Sequence, residues 1–107
     1  MRYRSLGRSG LLVSELGLGT MTFGDAEGMF RPINGVDQAL AEQIVSRSLE
    51  AGINYFDTAD AYAAGQSESI LGTAFRSLGV KRSDVVIATK GYGRMGSSQF
   101  QRDLGFR

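Results

Sequence analysis

The sequence contains no cysteine and no histidine. The absence of cysteine excludes disulfides and thiolate nucleophiles, and the absence of histidine excludes an imidazole base. Nearly every kind of zinc site is excluded as well, because such sites are built largely from these two side chains. Only Asp, Glu, Lys and Tyr remain for proton chemistry, and no metal centre is expected.

The charged residues are balanced and the apolar residues are scattered. Twelve Lys and Arg residues stand against eleven Asp and Glu residues, without a basic block that could follow a phosphate backbone. No stretch approaches the roughly 18 apolar residues of a membrane-spanning helix. Hydrophobic residues make up 42% of the chain, which is enough to build a modest core. We therefore expect a soluble, cytoplasmic domain that binds neither nucleic acid nor membranes.

Glycine is frequent, at fifteen residues against a single proline, and it falls between the periodic segments. A glycine-rich turn over residues 7–10 separates two short apolar stretches and predicts an amino-terminal hairpin. Residues 15–19 form an apolar run that predicts a buried strand. Residues 20–36 follow as a loop that is longer than an ordinary connection.

A first amphipathic helix is predicted to begin after Asp37, whose carboxylate can cap it. Gly52 stops this helix, and residues 53–57 follow at once as a strand. The apolar residues of the helix recur at the three-to-four spacing of one buried face, and they are Leu40, Ile44, Val45 and Leu49.

A second amphipathic helix is predicted to be capped by Ser67 and to end at Gly79. Residues 84–89 then predict a third strand, apolar on both faces. The alternation of strands and helices indicates right-handed βαβ units with a parallel sheet. The apolar residues of 91–107 follow neither the spacing of a helix nor the alternation of a strand, so this segment stays unassigned.

Three polar side chains are expected to meet at one edge of this sheet. Asp57 closes the second predicted strand and Lys90 closes the third, with one crossover helix between them. Neighbouring strands lie about 4.8 Å apart, and the carboxyl ends of parallel strands are where such proteins place their sites. Tyr62 lies in the loop that leaves this edge. A phenol beside an ammonium is a sensible proton donor, and a carboxylate can hold the ammonium in place.

Each of these residues also has a plainer interpretation. Asp57 could hydrogen-bond a turn, Tyr62 could be a loop aromatic, and Lys90 could be a solvated charge at a strand end. Asp60 is interpreted as a carboxylate in a loop. Glu68 is interpreted as a carboxylate in the first turn of the second helix, where it interacts favourably with the helix dipole.

A glycine-rich stretch over residues 17–22 invites a dinucleotide-binding interpretation. The sixth position of the G-x-G-x-x-G pattern is Thr22, and no helix is predicted to open there. We therefore reject a Rossmann fingerprint.

Three motifs together resemble the aldo-keto reductase family. They are LGLGTM at residues 16–21, NYFDTADAY at residues 54–62 and VIATK at residues 86–90. The resemblance implies an α/β fold, the N-terminal part of a (β/α)8 TIM barrel, with an N-terminal hairpin, about three parallel strands and two helices. Residues 1–90 would form this part of the barrel, and residues 91–107 would form a divergent tail.

The resemblance also implies an NADP-dependent oxidoreductase that reduces aldehydes or ketones to alcohols. Tyr62 would be the general acid, Lys90 would tune it, and Asp57 would pair with Lys90. The backbone of Gly19, Thr20 and Met21 would lie beside the nicotinamide of NADP(H), together with Asp57. The partner would be a small carbonyl substrate.

The sequence departs from the family in two ways. The family's catalytic histidine is missing, and a barrel of this kind needs about 250 residues. We therefore expect a truncated chain that is inactive alone and self-associates through unpaired sheet edges. The alternative is a non-catalytic fragment or interaction module that reuses the fold, as ion-channel subunits of this family do.

Overall fold

The structure is a computed structural model, and it describes residues 1–27 and 31–92. The predicted tail over residues 91–107 lies outside these residues except for its first two positions. Five strands and two α-helices are described, in the order β1 (Tyr3–Ser5), β2 (Leu12–Ser14), β3 (Leu18–Gly19), α1 (Gln38–Glu50), β4 (Tyr55–Asp57), α2 (Gln66–Ser77) and β5 (Val86–Ala88).

The amino-terminal hairpin is confirmed. Strands β1 and β2 pair antiparallel, and the amide of Leu6 donates to the carbonyl of Leu11 at 2.8 Å to close the turn. The side chain of Asn54 joins the hairpin to the start of β4: its Oδ1 accepts from the Ser14 amide at 2.7 Å and its Nδ2 donates to the Leu12 carbonyl at 3.0 Å. The hairpin is thus fixed at the amino end of the central strand.

The parallel sheet is confirmed, with the strand order β3, β4, β5. Gly19 pairs with Asp57, and Asp57 pairs with Ala88, so the carboxyl ends of all three strands lie at one edge. This is the edge at which the sequence predicts the site.

All three strands of the parallel sheet are shorter than predicted. Strand β4 begins at Tyr55 rather than at residue 53, because the Ile53 amide donates to the Ser48 carbonyl and the Asn54 amide donates to the Ser14 hydroxyl. Residues 15–17 are not part of β3, because the Ser14 hydroxyl donates to the Leu16 carbonyl at 2.6 Å and turns the chain there. Asp84 is not part of β5, because it ends a 3₁₀ turn over Arg82–Asp84 in which its amide donates to the Lys81 carbonyl.

Helix α1 begins and ends as predicted, and its predicted buried face is confirmed except at Leu40, because Val45 is buried and Ile44 and Leu49 pack against the core. Asp37 Oδ1 accepts from the Leu40 amide at 2.8 Å, and Gly52 leaves the helix with φ of +90°. The buried residues are Ala41, Val45 and Ser48, whereas Leu40 is 45% exposed.

Helix α2 is not capped by Ser67, and this prediction is wrong. The helix begins at Gln66, so its cap position is Gly65, two residues earlier than predicted, with φ of +96° and without a side-chain cap. Ser67 therefore lies inside the first turn, fully buried. The predicted end is confirmed, because Gly79 adopts φ of +66° directly after the helix.

The hydrophobic core joins the sheet, both helices and the long loop. The rings of Phe56 on β4 and Phe75 on α2 meet edge to face, with centroids 4.9 Å apart and planes at 86°. Phe23 reaches the core from the loop and is 1% exposed. The amide of Gly24 donates to the carbonyl of Val36 at 2.9 Å, which closes the loop on itself. The core thereby fixes the elements that carry the polar edge.

Candidate active site

Lys90 and Asp57 form an ion pair at the carboxyl edge of the sheet. Lys90 Nζ donates to both carboxylate oxygens of Asp57 at 3.0 Å, and to the carbonyl of Thr58 at 2.7 Å. The backbones agree with this pairing, because the amide of Asp60 donates to the Lys90 carbonyl at 3.0 Å. The topology thus brings a carboxylate and an ammonium together, as adjacent parallel strands require.

Tyr62 is the third member of the cluster. Its hydroxyl oxygen lies 3.4 Å from Lys90 Nζ, and the ammonium lies 5.1 Å from the centre of its ring. Tyr62 is partly buried, and the exposed fractions of the Lys90 and Asp57 side chains are 50% and 37%. The cluster is therefore open to a ligand while its members already touch one another.

The pKa of Lys90 lies above its ordinary value of 10.5. Partial burial acts to lower this pKa, but the hydrogen bonds to Asp57 and Tyr62 and the negative charge of Asp57 outweigh the burial. Lys90 is therefore a permanent cation at neutral pH. A fixed positive charge next to a phenol is suited to stabilise negative charge that develops on the phenol oxygen.

The backbone after Tyr62 is strained. Ala63 and Ala64 adopt φ of +47° and +53°, the left-handed region that alanine rarely occupies. The long loop clamps this turn, because Gly24 packs against Ala63 and the Asp25 amide donates to Gln66 Oε1 at 3.0 Å. Such strain is often found where a functional side chain must be aimed, and here it directs the chain away from Tyr62 and into α2.

The segment with the predicted cofactor-binding residues borders Asp57 directly. The amide of Thr20 donates to the Asp57 carbonyl at 3.0 Å. Gly19 and Met21 are exposed, and a Cβ added at Gly19 would meet no atom within 4 Å. Thr20 is fully buried, and its amide and carbonyl are both hydrogen-bonded inside the protein, so the surface that a ligand would meet here belongs to Gly19 and Met21. The open backbone beside the carboxylate is suited to a flat ring.

Sequence analysis missed two polar connections behind this edge. Glu68 was interpreted through the helix dipole, but its Oε1 accepts from the Thr89 hydroxyl at 2.5 Å and links α2 to the residue before Lys90. Ser67 was interpreted as a cap, but its hydroxyl meets those of Thr20 and Thr58 inside the protein. No sequence signal separates a buried serine in a first turn from a capping serine, because both precede the same apolar pattern.

Within residues 1–27 and 31–92, no three His, Cys, Asp or Glu side chains are grouped so that they could hold a metal ion. No helix in the described part of the chain is long and apolar enough to cross a membrane.

The fold and the site together define the N-terminal part of a parallel α/β barrel with a Lys-Asp-Tyr cluster at its carboxyl edge. The profile of the aldo/keto reductase family matches residues 15–103, and the chain belongs to that family. The resemblance stated from the three sequence motifs is thereby confirmed, as is the fold class.

Two relatives illustrate the extent of the match. A probable voltage-gated potassium channel subunit beta from Oryza sativa subsp. japonica is 45% identical over 91 residues, which are 84% of this chain and 25% of that protein. The holo form of an aldo-keto reductase from Bacillus halodurans is 40% identical with a TM-score of 0.72, and the match covers 90% of this chain and 28% of that one. The chain thus spans between a quarter and a third of the length of these relatives.

Proposed function

We propose that Asp57, Tyr62 and Lys90 are the proton-donating part of a carbonyl reductase site that works in a complete barrel with NAD(P)H. The observation that carries the proposal is the ammonium of Lys90, which contacts both the Asp57 carboxylate and the Tyr62 hydroxyl. NAD(P)H would supply a hydride to the carbonyl carbon and leave as NAD(P)⁺. Tyr62 would give its phenolic proton to the carbonyl oxygen, and the product would be an alcohol.

Lys90 and Asp57 would serve this proton transfer in different ways. The Lys90 ammonium stabilises the phenolate that remains after Tyr62 has given its proton. Asp57 and the Thr58 carbonyl hold three contacts to the ammonium and keep it from turning into solvent. Tyr62 would regain its proton from water before the next turnover.

The backbone of Gly19, Thr20 and Met21 would lie beside the nicotinamide. This segment fits a planar ring because it is open at Gly19 and directly adjoins Asp57. The grip on the phosphates of the cofactor would come from the last strands of the barrel, which the resemblance places beyond this chain. The preference for NADP derives from the family resemblance, and a cytoplasmic location, predicted from the sequence, belongs to the same proposal.

The chain by itself would not reduce carbonyl compounds. Hydride transfer requires the nicotinamide to be held at contact distance from the substrate carbon, and the chain covers only 25–28% of its matched relatives. Its partners would be a small carbonyl compound in the complete barrel and, for the 107-residue chain, further copies of itself.

The experiment joins residues 1–90 to the remaining βα units of the Bacillus halodurans reductase and follows aldehyde-dependent oxidation of NADPH. We expect saturable turnover that Tyr62→Phe lowers about 10²–10⁴-fold, the usual contribution of a general acid. Tyr55→Phe is the matched control, because Tyr55 begins β4 at the opposite end of the strand. Full activity without the Tyr62 hydroxyl would overturn the proposal. The unjoined chain should show no turnover in the same assay.

A second candidate is a non-catalytic subunit that associates with other proteins. The 45% identity to a probable potassium channel subunit beta favours it. One measurement separates the two candidates. We call the protein that joins residues 1–90 to the remaining βα units of the Bacillus halodurans reductase the completed barrel. A completed barrel that binds NADPH but turns over no aldehyde would support the second candidate.

A further inference from the structure

We infer that Ser67 is a positioning residue that fixes the cofactor-facing segment, residues 19–21, to the end of β4. It acts through a buried cluster of three hydroxyls, defined as those of Thr20, Thr58 and Ser67, which we call the hydroxyl cluster. The inference rests on the proposed function for one premise, which is that residues 19–21 face a nicotinamide. The placement of Ser67 behind that segment is independent of any cofactor.

The hydroxyl cluster is sealed from solvent. Thr20 and Ser67 are 0% exposed and Thr58 is 2% exposed. Ser67 Oγ lies 2.8 Å from Thr20 Oγ1 and 3.3 Å from Thr58 Oγ1, and it donates to the Thr20 carbonyl at 2.6 Å. Burying three hydroxyls is unfavourable unless they satisfy one another, so the short contacts are what make this cluster stable.

The protons of the hydroxyl cluster can be assigned in one consistent way. Ser67 has a single proton, which goes to the Thr20 carbonyl. Its two lone pairs are then free to accept from the Thr58 hydroxyl and from the Thr20 hydroxyl, whose proton is shared with the Asp57 carbonyl at 3.2 Å. Ser67 therefore uses all of its hydrogen-bonding capacity within the cluster. Replacing it would remove the acceptor of the Thr58 hydroxyl and one of the two partners of the Thr20 hydroxyl and of the Thr20 carbonyl, which would keep only Asp57 and Phe23.

The main chain of Thr20 is held on both sides as a result. Its amide donates to Asp57 in β4, and its carbonyl accepts from Ser67 in α2 and from the Phe23 amide at 3.0 Å. The exposed residues Gly19 and Met21 flank this fixed point. A residue of α2 thereby sets where the surface of residues 19–21 lies relative to the carboxylate of Asp57.

Ser48 provides a matched control. It is also a buried serine on a helix, but its hydroxyl donates within α1 to the Ile44 carbonyl at 2.8 Å and, among the residues that the structure describes, bonds to no other element. Ser48→Ala and Ser67→Ala thus remove the same group from two buried sites, and only one of them touches residues 19–21. Thr20→Val and Thr20→Ser form a second pair, since the first keeps the shape and the second keeps the hydroxyl.

The test uses the completed barrel and measures amide hydrogen exchange in residues 19–23 without cofactor. Ser67→Ala and Thr20→Val should speed exchange there about tenfold, the equivalent of one buried hydrogen bond. Ser48→Ala should leave it unchanged, and Thr20→Ser should restore most of the protection. The dissociation constant for NADPH should rise several-fold in the first two variants alone, while the pH profile of kcat stays that of the parent.

Unchanged exchange in Ser67→Ala would overturn the inference, and so would a Thr20→Ser variant as perturbed as Thr20→Val. If Ser67→Ala does not fold, the Thr20 pair decides. A parent barrel that fails to bind NADPH would contradict the proposed function, while the exchange comparison would still decide the role of Ser67.

Discussion

Gly24 lies directly against Ala63: a Cβ placed at Gly24 would come within 2.6 Å of the Ala63 Cβ. This contact joins the long loop to the strained turn that follows Tyr62. Gly24 also has φ of +107°, which disfavours any side chain. The position therefore requires glycine for two independent reasons.

Gly24→Ala should destabilise the completed barrel by about 2 kcal/mol or more, because it adds left-handed strain to a clash. Gly72→Ala is the control. Gly72 lies within α2, where the nearest atom to a new Cβ is 3.6 Å away, so alanine should stabilise by roughly 0.5–1 kcal/mol. Urea unfolding of both variants checks the opposite signs, and two changes of the same sign would contradict the contact.

Ala64→Gly should raise stability by roughly 0.5–1 kcal/mol. Ala64 is exposed and left-handed, so glycine relieves strain there without removing packing. Ala39→Gly, at an exposed position of α1, should instead lower stability by a similar amount because glycine is unfavourable within a helix. The unfolding midpoints in urea give the comparison, and equal destabilisation by both substitutions would argue against the strained turn.

Lys90→Met in the completed barrel should lower kcat nearly as much as Tyr62→Phe, because it removes the charge that stabilises the phenolate. Asp57→Asn should lower kcat less, since the amide keeps the shape and a hydrogen bond. The double variant of Asp57 and Lys90 should be far from additive, because the two side chains act as one unit. Steady-state kinetics test this, and additive losses would show that the ion pair has no common role.

The ion pair of Lys90 and Asp57 should also make the free energy of unfolding depend on pH in the alkaline range. The folded pKa of Lys90 lies above 10.5, so its contribution is fully present below pH 10.5 and is lost as pH rises through the folded value. The effect should be small because Lys90 is half exposed. The free energy of unfolding, measured from pH 9 to pH 12, should fall more steeply in the parent than in Lys90→Met. Lys81→Met, at an exposed position, should follow the parent.

The 107-residue chain should self-associate. In the described sheet, β3 and β5 each pair with one neighbour only, and Leu16 beside β3 is 62% exposed. Leu16→Lys should shift sedimentation of the chain toward the monomer. Leu78→Lys, at the end of α2, should not. A parent chain that sediments as a monomer at every concentration would contradict the prediction.

The sequence was informative where one strong local preference decided the structure. Asp57 and Lys90 were predicted to be neighbours because strand ends with one crossover helix between them must meet at one edge. The start of α1 was predicted because Asp37 precedes a periodic segment. These features depend on residues close together in the chain and on the handedness of the connection.

The sequence was uninformative where distant contacts overrode a local preference. Alanine favours helices, so nothing in the sequence indicates that Ala63 and Ala64 are left-handed. Ser67 has the residue type of a cap, but Thr20, 47 residues away in the sequence, draws its hydroxyl inside. The exposure of Leu40 likewise depends on what packs against α1, which the spacing of apolar residues does not report.

The close pairing of β4 and β5 has a consequence for how such a site can be inherited. The Asp57 carboxylate, the Tyr62 hydroxyl and the Lys90 ammonium all belong to one continuous stretch, and backbone bonds from Thr58 to Ala88 and from Asp60 to Lys90 hold its two ends together. The three side chains thus belong to a single βαβ unit, which could be gained, lost or transferred as one segment of a gene. In the proposed function the phosphates of the cofactor are held by strands outside this unit, so the two parts of the site could diverge independently.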